Sequence, residues 1–196
     1  MADRRIRSLA FAVRWPVVTR YFGQLLVVLV FLDLVPLGVS IAAGDYDITA
    51  RYLVLLPIIG LTGWILGRVE APSDMRKNEA LVLTGSIFLA SSLVSTYPFL
   101  AVAPSFMDAF FEAVSGITTT GLSTLSSLEG APTTFLFTRA YLQGVGGLGI
   151  VVFSVAVFIA PGLTARRLAD IDVEKDIVAG ARILTRRVVK IYMALT

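Results

Sequence analysis

Residues 105–124 read SFMDAFFEAVSGITTTGLST and begin with the pattern of a short, capped helix. Ser105 with Asp108 three residues later is typical of a capping box, in which side chains satisfy the free N–H groups of a helix start. Asp108 and Glu112 also lie where the helix macrodipole favours negative charge. The pattern predicts a helix over 105–115, which at 1.5 Å per residue is about 16 Å long. That is about half the thickness of a bilayer core.

The residues after this helix oppose helix formation. Three consecutive threonines, Thr118, Thr119 and Thr120, stand between Gly116 and Gly121. Because β-branched residues and glycine both lower helix propensity, an extended segment is expected here. A half-length helix followed by an extended polar segment is the pattern of a re-entrant loop, provided that the chain lies in a membrane. The alternative is an extracellular Ser/Thr-rich loop preceded by a surface helix.

The composition of the chain indicates a membrane protein. Of its 196 residues 56% are hydrophobic and 16% are charged, with a mean hydropathy of +0.81, whereas soluble domains are about 45–50% apolar and about 25% charged. Cysteine and histidine are absent, which excludes disulfides, thiol nucleophiles and Ser-His-Asp catalysis. We therefore expect no enzyme activity and no cofactor. The net charge of +3 is too small to indicate nucleic-acid binding.

Four stretches are long and apolar enough to cross the bilayer, or nearly so, since a crossing helix needs about 20 mostly apolar residues. They lie at 22–43, 48–67, 80–102 and 133–160. A signal peptide is the alternative for the first, but its apolar run is longer than usual and three further spans follow. The sequence predicts an all-α membrane protein. Its predicted parts are an arm with two leading helices (1–78), a helix–pore loop–helix repeat (79–162), and a cytoplasmic linker with the start of another helix (163–196).

The basic residues set the predicted orientation. Fifteen Lys and Arg residues lie in the N-terminal arm, in the connection between the second and third spans, and after residue 160, whereas Arg51 and Arg139 lie on the other side. Because cytoplasmic loops carry an excess of Lys and Arg, the N-terminus and the region 163–196 are predicted to be cytoplasmic. The basic tail is expected to contact anionic lipid or a cytosolic regulator.

Thr118, Thr119, Thr120 and Gly121 are the candidate ion-binding residues. Non-helical backbone at membrane depth is tolerated only where protein buries it or where it lines a water-filled cavity. Carbonyl and hydroxyl oxygens in such a position can replace the hydration shell of an ion. Gly121 can adopt positive φ, so that neighbouring carbonyls point toward one axis. The partial negative charge at the end of the preceding helix favours a cation, and the sequence leaves K⁺ and Na⁺ both open.

Two stretches resemble a known family, the TrkH/TrkG/KtrB-type potassium transporters. FFEAVSGITTTG at 110–121 is similar to the first pore loop of that family, and RAYLQGVGGLGIV at 139–151 is similar to the helix that follows it. The resemblance implies four helix–loop–helix repeats around a filter, with Thr119 and Thr120 contributing oxygens to K⁺. It also implies a bacterial inner-membrane location, a homodimer, and a cytosolic ring of nucleotide-binding regulatory subunits.

The chain contains one such repeat, which would supply about a quarter of a filter ring. We expect it to be the N-terminal part of a longer pore subunit, or else to assemble in several copies around an axis. The alternative from a different functional class is a non-transporting membrane scaffold or regulatory subunit that keeps a single repeat.

Two glycine patterns favour helix packing over ligand binding. GVGGLG at 144–149 matches the dinucleotide fingerprint GxGxxG, but it lies inside an apolar span with no strand before it. Small residues in such a span allow helices to approach closely in lipid. Gly63 and Gly67 form a GxxxG pattern with the same interpretation.

Two charged residues lie in or near predicted spans. Asp33 is an intramembrane acid without a basic partner in its own span, so it is either a proton-coupling residue or a structural acid that is protonated or faces water. Arg139 is predicted to reach the lipid headgroups or to pair with Glu112 or Glu129. A structural role is favoured for Arg139, because a cation beside the filter would repel the permeant ion.

Overall fold

A computed structural model of the protein describes residues 13–154, and within them five helices follow one another. No strand occurs in this part of the chain, so the all-α fold class is confirmed. The predictions for the N-terminal arm before residue 13, for the end of the fourth span and for 163–196 lie outside the described residues. The helices are α1 (Trp15–Ala43), α2 (Tyr46–Gly67), α3 (Lys77–Phe99), α4 (Phe106–Ile117) and α5 (Thr133–Ser154).

Helices α1, α2 and α3 are long and apolar enough to cross a membrane, as the first three predicted spans require. The bounds of all three differ from the prediction, and α2 begins at Tyr46 rather than at 48. Helix α1 begins at Trp15 rather than at 22, because Pro16 suits the first turn of a helix. Helix α3 covers Lys77–Phe99 rather than 80–102. The described part of α5 contains Arg139 and several glycines and is not among these three helices, so the fourth crossing stays a prediction.

Helices α1 and α2 pack backbone against backbone through glycines. A Cβ atom at Gly23 would lie 2.7 Å from the carbonyl oxygen of Gly63, and one at Gly63 would lie 2.9 Å from the carbonyl oxygen of Gly23. Both distances are shorter than real carbon contacts allow, so only glycine fits at either position. The packing interpretation of the glycine pattern at 63–67 is therefore confirmed, in agreement with the use of small residues at membrane helix interfaces.

Polar contacts hold the ends of the helices together. At one end Arg14, just before α1, donates from its Nε to Oε1 of the fully buried Glu79 at 2.7 Å and contacts Asp74. At the other end Oδ2 of Asp45, between α1 and α2, accepts hydrogen bonds from the backbone N–H and the hydroxyl of Thr134. Asp45 therefore caps α5 from 89 residues away in sequence.

The core forms where α4 inserts between the long helices. Ala109, Ala113 and Ile117 line one face of α4 and are buried. They belong to a cluster that also contains Tyr52 of α2 and Phe135 of α5. Because α4 is strongly amphipathic, burying this face determines how deeply the helix enters the bundle.

We predict that Gly23→Ala destabilises the α1–α2 pair, because the new methyl group would meet backbone atoms that cannot move away alone. The expected loss is about 1–3 kcal/mol of unfolding free energy, as for overpacked cores. The measurement is thermal unfolding of the protein in detergent. Gly38→Ala on the same helix is the matched control, since a Cβ there meets no atom within 4 Å. Equal unfolding temperatures for the two variants would contradict the packing.

Candidate cation site at the tip of α4

Helix α4 starts at a side-chain cap, as predicted from Ser105 and Asp108. The Ser105 hydroxyl accepts a hydrogen bond from the backbone N–H of Asp108 at 3.1 Å and donates one to Oδ2 of Asp108 at 2.6 Å. This second hydrogen bond differs from that of the usual capping box, in which the acidic side chain accepts a hydrogen bond from the backbone N–H of the cap residue. The helix ends at Ile117, two residues beyond the predicted end.

The tip of α4 reaches far along α5. A Cβ at Gly116 would lie 3.2 Å from Cβ of Leu142, and one at Gly146 would collide with the backbone of Ile117. Gly146 lies about 20 Å along α5 from Thr133, well inside a bilayer core of about 30 Å. The half-length helix thus ends far along a longer one, an arrangement that a re-entrant loop requires if α5 crosses the membrane. The re-entrant loop itself stays a prediction. The contact confirms the packing interpretation of 144–149 at Gly146.

The filter segment, residues 118–121, has an unusual backbone. Gly121 adopts φ of 77°, which confirms the predicted positive φ, and Thr119 adopts φ of 61°. A β-branched residue in this region is strained by about 1–3 kcal/mol, and such strain clusters at functional sites. Thr118, by contrast, has φ of −83°. The sign of φ therefore changes along the segment, which reorients its peptide groups.

The N–H groups of the filter segment are used by the end of α4. Thr120 and Gly121 both donate to the carbonyl oxygen of Ser115, at 2.9 and 3.2 Å, and Thr119 donates to that of Gly116. Among residues 13–154 none of the printed backbone N–H groups donates to a carbonyl oxygen of 118–121, and all four residues are exposed. The side-chain amide of Gln143 lies beside the segment, 3.8 Å from where a Cβ at Gly121 would be. The exposed filter segment thus carries a row of carbonyl oxygens that no backbone N–H group uses.

The threonine hydroxyls are less available than the carbonyls. The Thr118 hydroxyl donates to the carbonyl oxygen of Val114 at 2.6 Å and lies 2.9 Å from the hydroxyl oxygen of Thr120. Part of the predicted hydroxyl contribution is therefore used within the protein. The backbone carbonyls of the filter segment are the better candidates for binding a cation.

The return segment, residues 122–124, is held by the fully buried Glu112 of α4. Its Oε1 accepts hydrogen bonds from the Ser123 hydroxyl at 2.6 Å and from the Thr124 backbone N–H at 2.8 Å. The Ser115 hydroxyl donates to the carbonyl oxygen of Leu122 at 2.6 Å. Helix α4 therefore fixes the chain both as it enters and as it leaves the filter segment.

Arg139 of α5 completes this cluster. Its Nε lies 3.0 Å from Oε2 of Glu112, in a close ion pair that lacks hydrogen-bond alignment, and its Nη2 donates to the Leu122 carbonyl oxygen at 3.1 Å. Of the predicted partners of Arg139, Glu112 is confirmed, while Glu129 lies in an exposed loop. Because Glu112 neutralises Arg139, the arginine does not act as a free positive charge beside the filter segment.

The polar residues that hold the loop were not predicted from the sequence. The hydrogen bonds of Ser115, Ser123 and Thr124 join residues that are 7 to 12 positions apart in sequence, and no local motif predicts such contacts. The one available signal was the pairing of Glu112 with Arg139, since a buried charge requires a partner.

Asp33 is not part of the filter region. It is buried in α1 near Tyr52 and Tyr141, and its Oδ2 has no hydrogen-bond partner within residues 13–154. The alternative in which Asp33 faces water is therefore wrong for the described chain. Its proton-coupling role stays a prediction.

A family model described as "TrkH: Cation transport protein" matches residues 48–196, which is most of the chain and includes the whole of the site. The chain belongs to the TrkH family of cation transport proteins. With three described helices that are able to cross a membrane, this TrkH-family chain is a multi-pass membrane protein.

Individual relatives agree with the TrkH family assignment. An uncharacterised cation transporter of Methanocaldococcus jannaschii is 26% identical over 177 residues, which cover 89% of this chain and 37% of that protein. The Trk system potassium uptake protein TrkH of Escherichia coli K12 is 31% identical over 157 residues, 77% of this chain and 32% of the relative. TrkG of the same organism is 27% identical over 157 residues, which cover 78% of this chain and 32% of the relative. The chain spans about a third of the length of the curated relatives that it matches.

We predict that Arg139→Gln destabilises the protein by about 3–5 kcal/mol, because it leaves the Glu112 carboxylate buried without its counter-charge. The measurement is thermal unfolding in detergent. Arg51→Gln is the matched control. Arg51 pairs at 3.5 Å with the largely exposed Asp47, donates to the Tyr97 carbonyl oxygen and lies over the Tyr97 ring. Because exposed ion pairs contribute about 0–1 kcal/mol and exposed cation–π contacts about 0.5–1 kcal/mol, its loss should cost less than that of Arg139.

The double variant Glu112→Gln, Arg139→Gln is expected to be more stable than the sum of the two single losses predicts, because it removes both charges together. If Arg139→Gln cost no more stability than Arg51→Gln, the ion pair would not hold the loop.

Proposed function

We propose that this chain forms part of a potassium uptake pathway across the plasma membrane. The carbonyl oxygens of the filter segment would bind partly dehydrated K⁺, with Thr119 and Thr120 contributing most directly and Thr118 and Gly121 beside them. The TrkH and TrkG relatives are named potassium uptake proteins, which supports K⁺ over Na⁺ as the transported ion. No covalent chemistry is involved.

The single observation that carries this proposal is the row of carbonyl oxygens at the tip of α4 that no backbone N–H group uses. In a re-entrant loop, such exposed hydrogen-bonding groups are costly unless a ligand or water satisfies them. The α4 C-terminus adds a partial negative charge. A cation therefore fits this position better than an anion or a neutral solute.

One loop of this kind surrounds only part of an ion, so the proposal requires additional pore loops. Further repeats in a longer polypeptide, or further copies of the chain, would supply the remaining oxygens. Phe106, Met107 and Phe111 on the exposed face of α4 are suited to such contacts, since all three are substantially exposed on the described chain.

The biological setting of the protein is proposed in the same terms. It would lie in a bacterial inner membrane with its N-terminus in the cytoplasm, form a homodimer, and bind a cytosolic nucleotide-binding regulatory subunit. The excess of basic residues on one side of the predicted spans supports this orientation.

The second candidate function is a non-transporting membrane scaffold that keeps one repeat. The use of the Thr118 hydroxyl within the protein, where it bonds to Val114 and lies 2.9 Å from the Thr120 hydroxyl, favours it. A scaffold would not need a row of carbonyl oxygens without backbone N–H partners or a strained Thr119, so substitutions in the filter segment distinguish the two functions.

We predict that Gly121→Asp reduces K⁺ uptake to background in cells that lack their own K⁺ uptake systems. The substitution places a side chain on a backbone with φ of 77° and adds a charged group beside the filter oxygens. The measurement is K⁺ uptake by the protein as it is expressed in the membrane.

Gly130→Asp is the matched control for this experiment. Gly130 also has positive φ, at 82°, and a Cβ there meets no atom within 4 Å, so this variant should transport normally. Uptake that survives Gly121→Asp, at normal protein levels, would favour the scaffold function.

A further inference from the structure

A groove of about 630 Å³ lies between α1 and α2, away from the residues of the filter site. Its lining consists of apolar side chains and one glycine, Gly60. Leu34, Leu53, Leu61 and Trp64 line it and are each about half exposed. Since both helices are able to span the membrane, the groove would open toward the lipid.

The length of the groove matches one leaflet of the bilayer. On α2 it extends from Leu53 to Trp64, a rise of about 16 Å. One leaflet contributes about half of a hydrocarbon core of roughly 30 Å. The groove therefore runs from near the middle of the membrane to one surface.

A positive charge stands at the surface end of the groove. The guanidinium carbon of Arg68 lies 3.5 Å from the centre of the Trp64 ring, one helical turn beyond it. Arg68 is exposed, and no carboxylate within residues 13–154 forms an ion pair with it. Tryptophan is typical of the headgroup level of a membrane, and arginine binds phosphate oxygens with two parallel donors.

We propose that this groove binds one anionic phospholipid, with an acyl chain between α1 and α2 and the phosphate on Arg68. An acyl chain fits better than a further helix, because membrane helices approach one another through small residues, whereas large side chains border most of this groove. The bound lipid would fill the space that Gly60 leaves open and would support the contact between α1 and α2.

The test is native mass spectrometry of the purified protein titrated with phosphatidylglycerol or with zwitterionic phosphatidylcholine. We expect preferential binding of phosphatidylglycerol. Arg68→Gln should weaken phosphatidylglycerol binding about fivefold, the effect of roughly one basic residue at an anionic lipid surface, and should leave phosphatidylcholine binding unchanged. Arg51→Gln, which removes an arginine near the opposite end of α2, should change neither.

A second variant tests the acyl chain separately. Gly60→Leu fills the groove, and its Cβ meets only Cγ2 of Val30 at an ordinary 3.8 Å, so binding of both lipids should fall. Gly38→Leu, where no atom lies within 4 Å of the Cβ, should bind lipid normally. Equal binding of the two lipids by the unchanged protein would overturn the proposal. So would a Gly60→Leu variant that keeps its lipid but changes oligomeric mass, which would show that protein fills the groove.

Discussion

The buried ion pair between Glu112 and Arg139 is the interaction on which the rest of the site depends. Taking two charges out of water costs several kcal/mol each, and this cost is offset only when partners satisfy the remaining polar atoms. Here those partners are the hydroxyl of Ser123, the N–H of Thr124 and the carbonyl of Leu122. The requirement to satisfy one buried charge pair thus fixes α4, the return segment and α5 relative to one another.

The backbone of the filter segment is fixed by its neighbours on both sides. On one side its N–H groups bond to the last turn of α4, and on the other the return segment is held by Glu112. No backbone N–H group then uses its carbonyl oxygens, and the strain at Thr119 persists because the surroundings determine the backbone. The contact of Ile117 with Gly146 fixes the position of the segment along α5.

Features that depend on local sequence were predictable from it. Apolar length predicts α1, α2 and α3, and Ser105 with Asp108 predicts the start of α4. Features that depend on distant residues were not predictable. The cap that Asp45 places on α5 and the positive φ of Thr119 require the packed structure, because the cap joins segments far apart in sequence and the φ is a strain that local propensity opposes.

The most direct test of the site uses the absence of cysteine from the chain. A single Thr120→Cys substitution can be labelled in membranes by a small cationic thiol reagent, with Leu128→Cys in the loop beyond the return segment as the comparison. We expect K⁺ to slow labelling at position 120 but not at 128, because a bound ion occupies the oxygens beside position 120. Labelling at 120 that does not depend on K⁺ would contradict a cation site at the tip of α4.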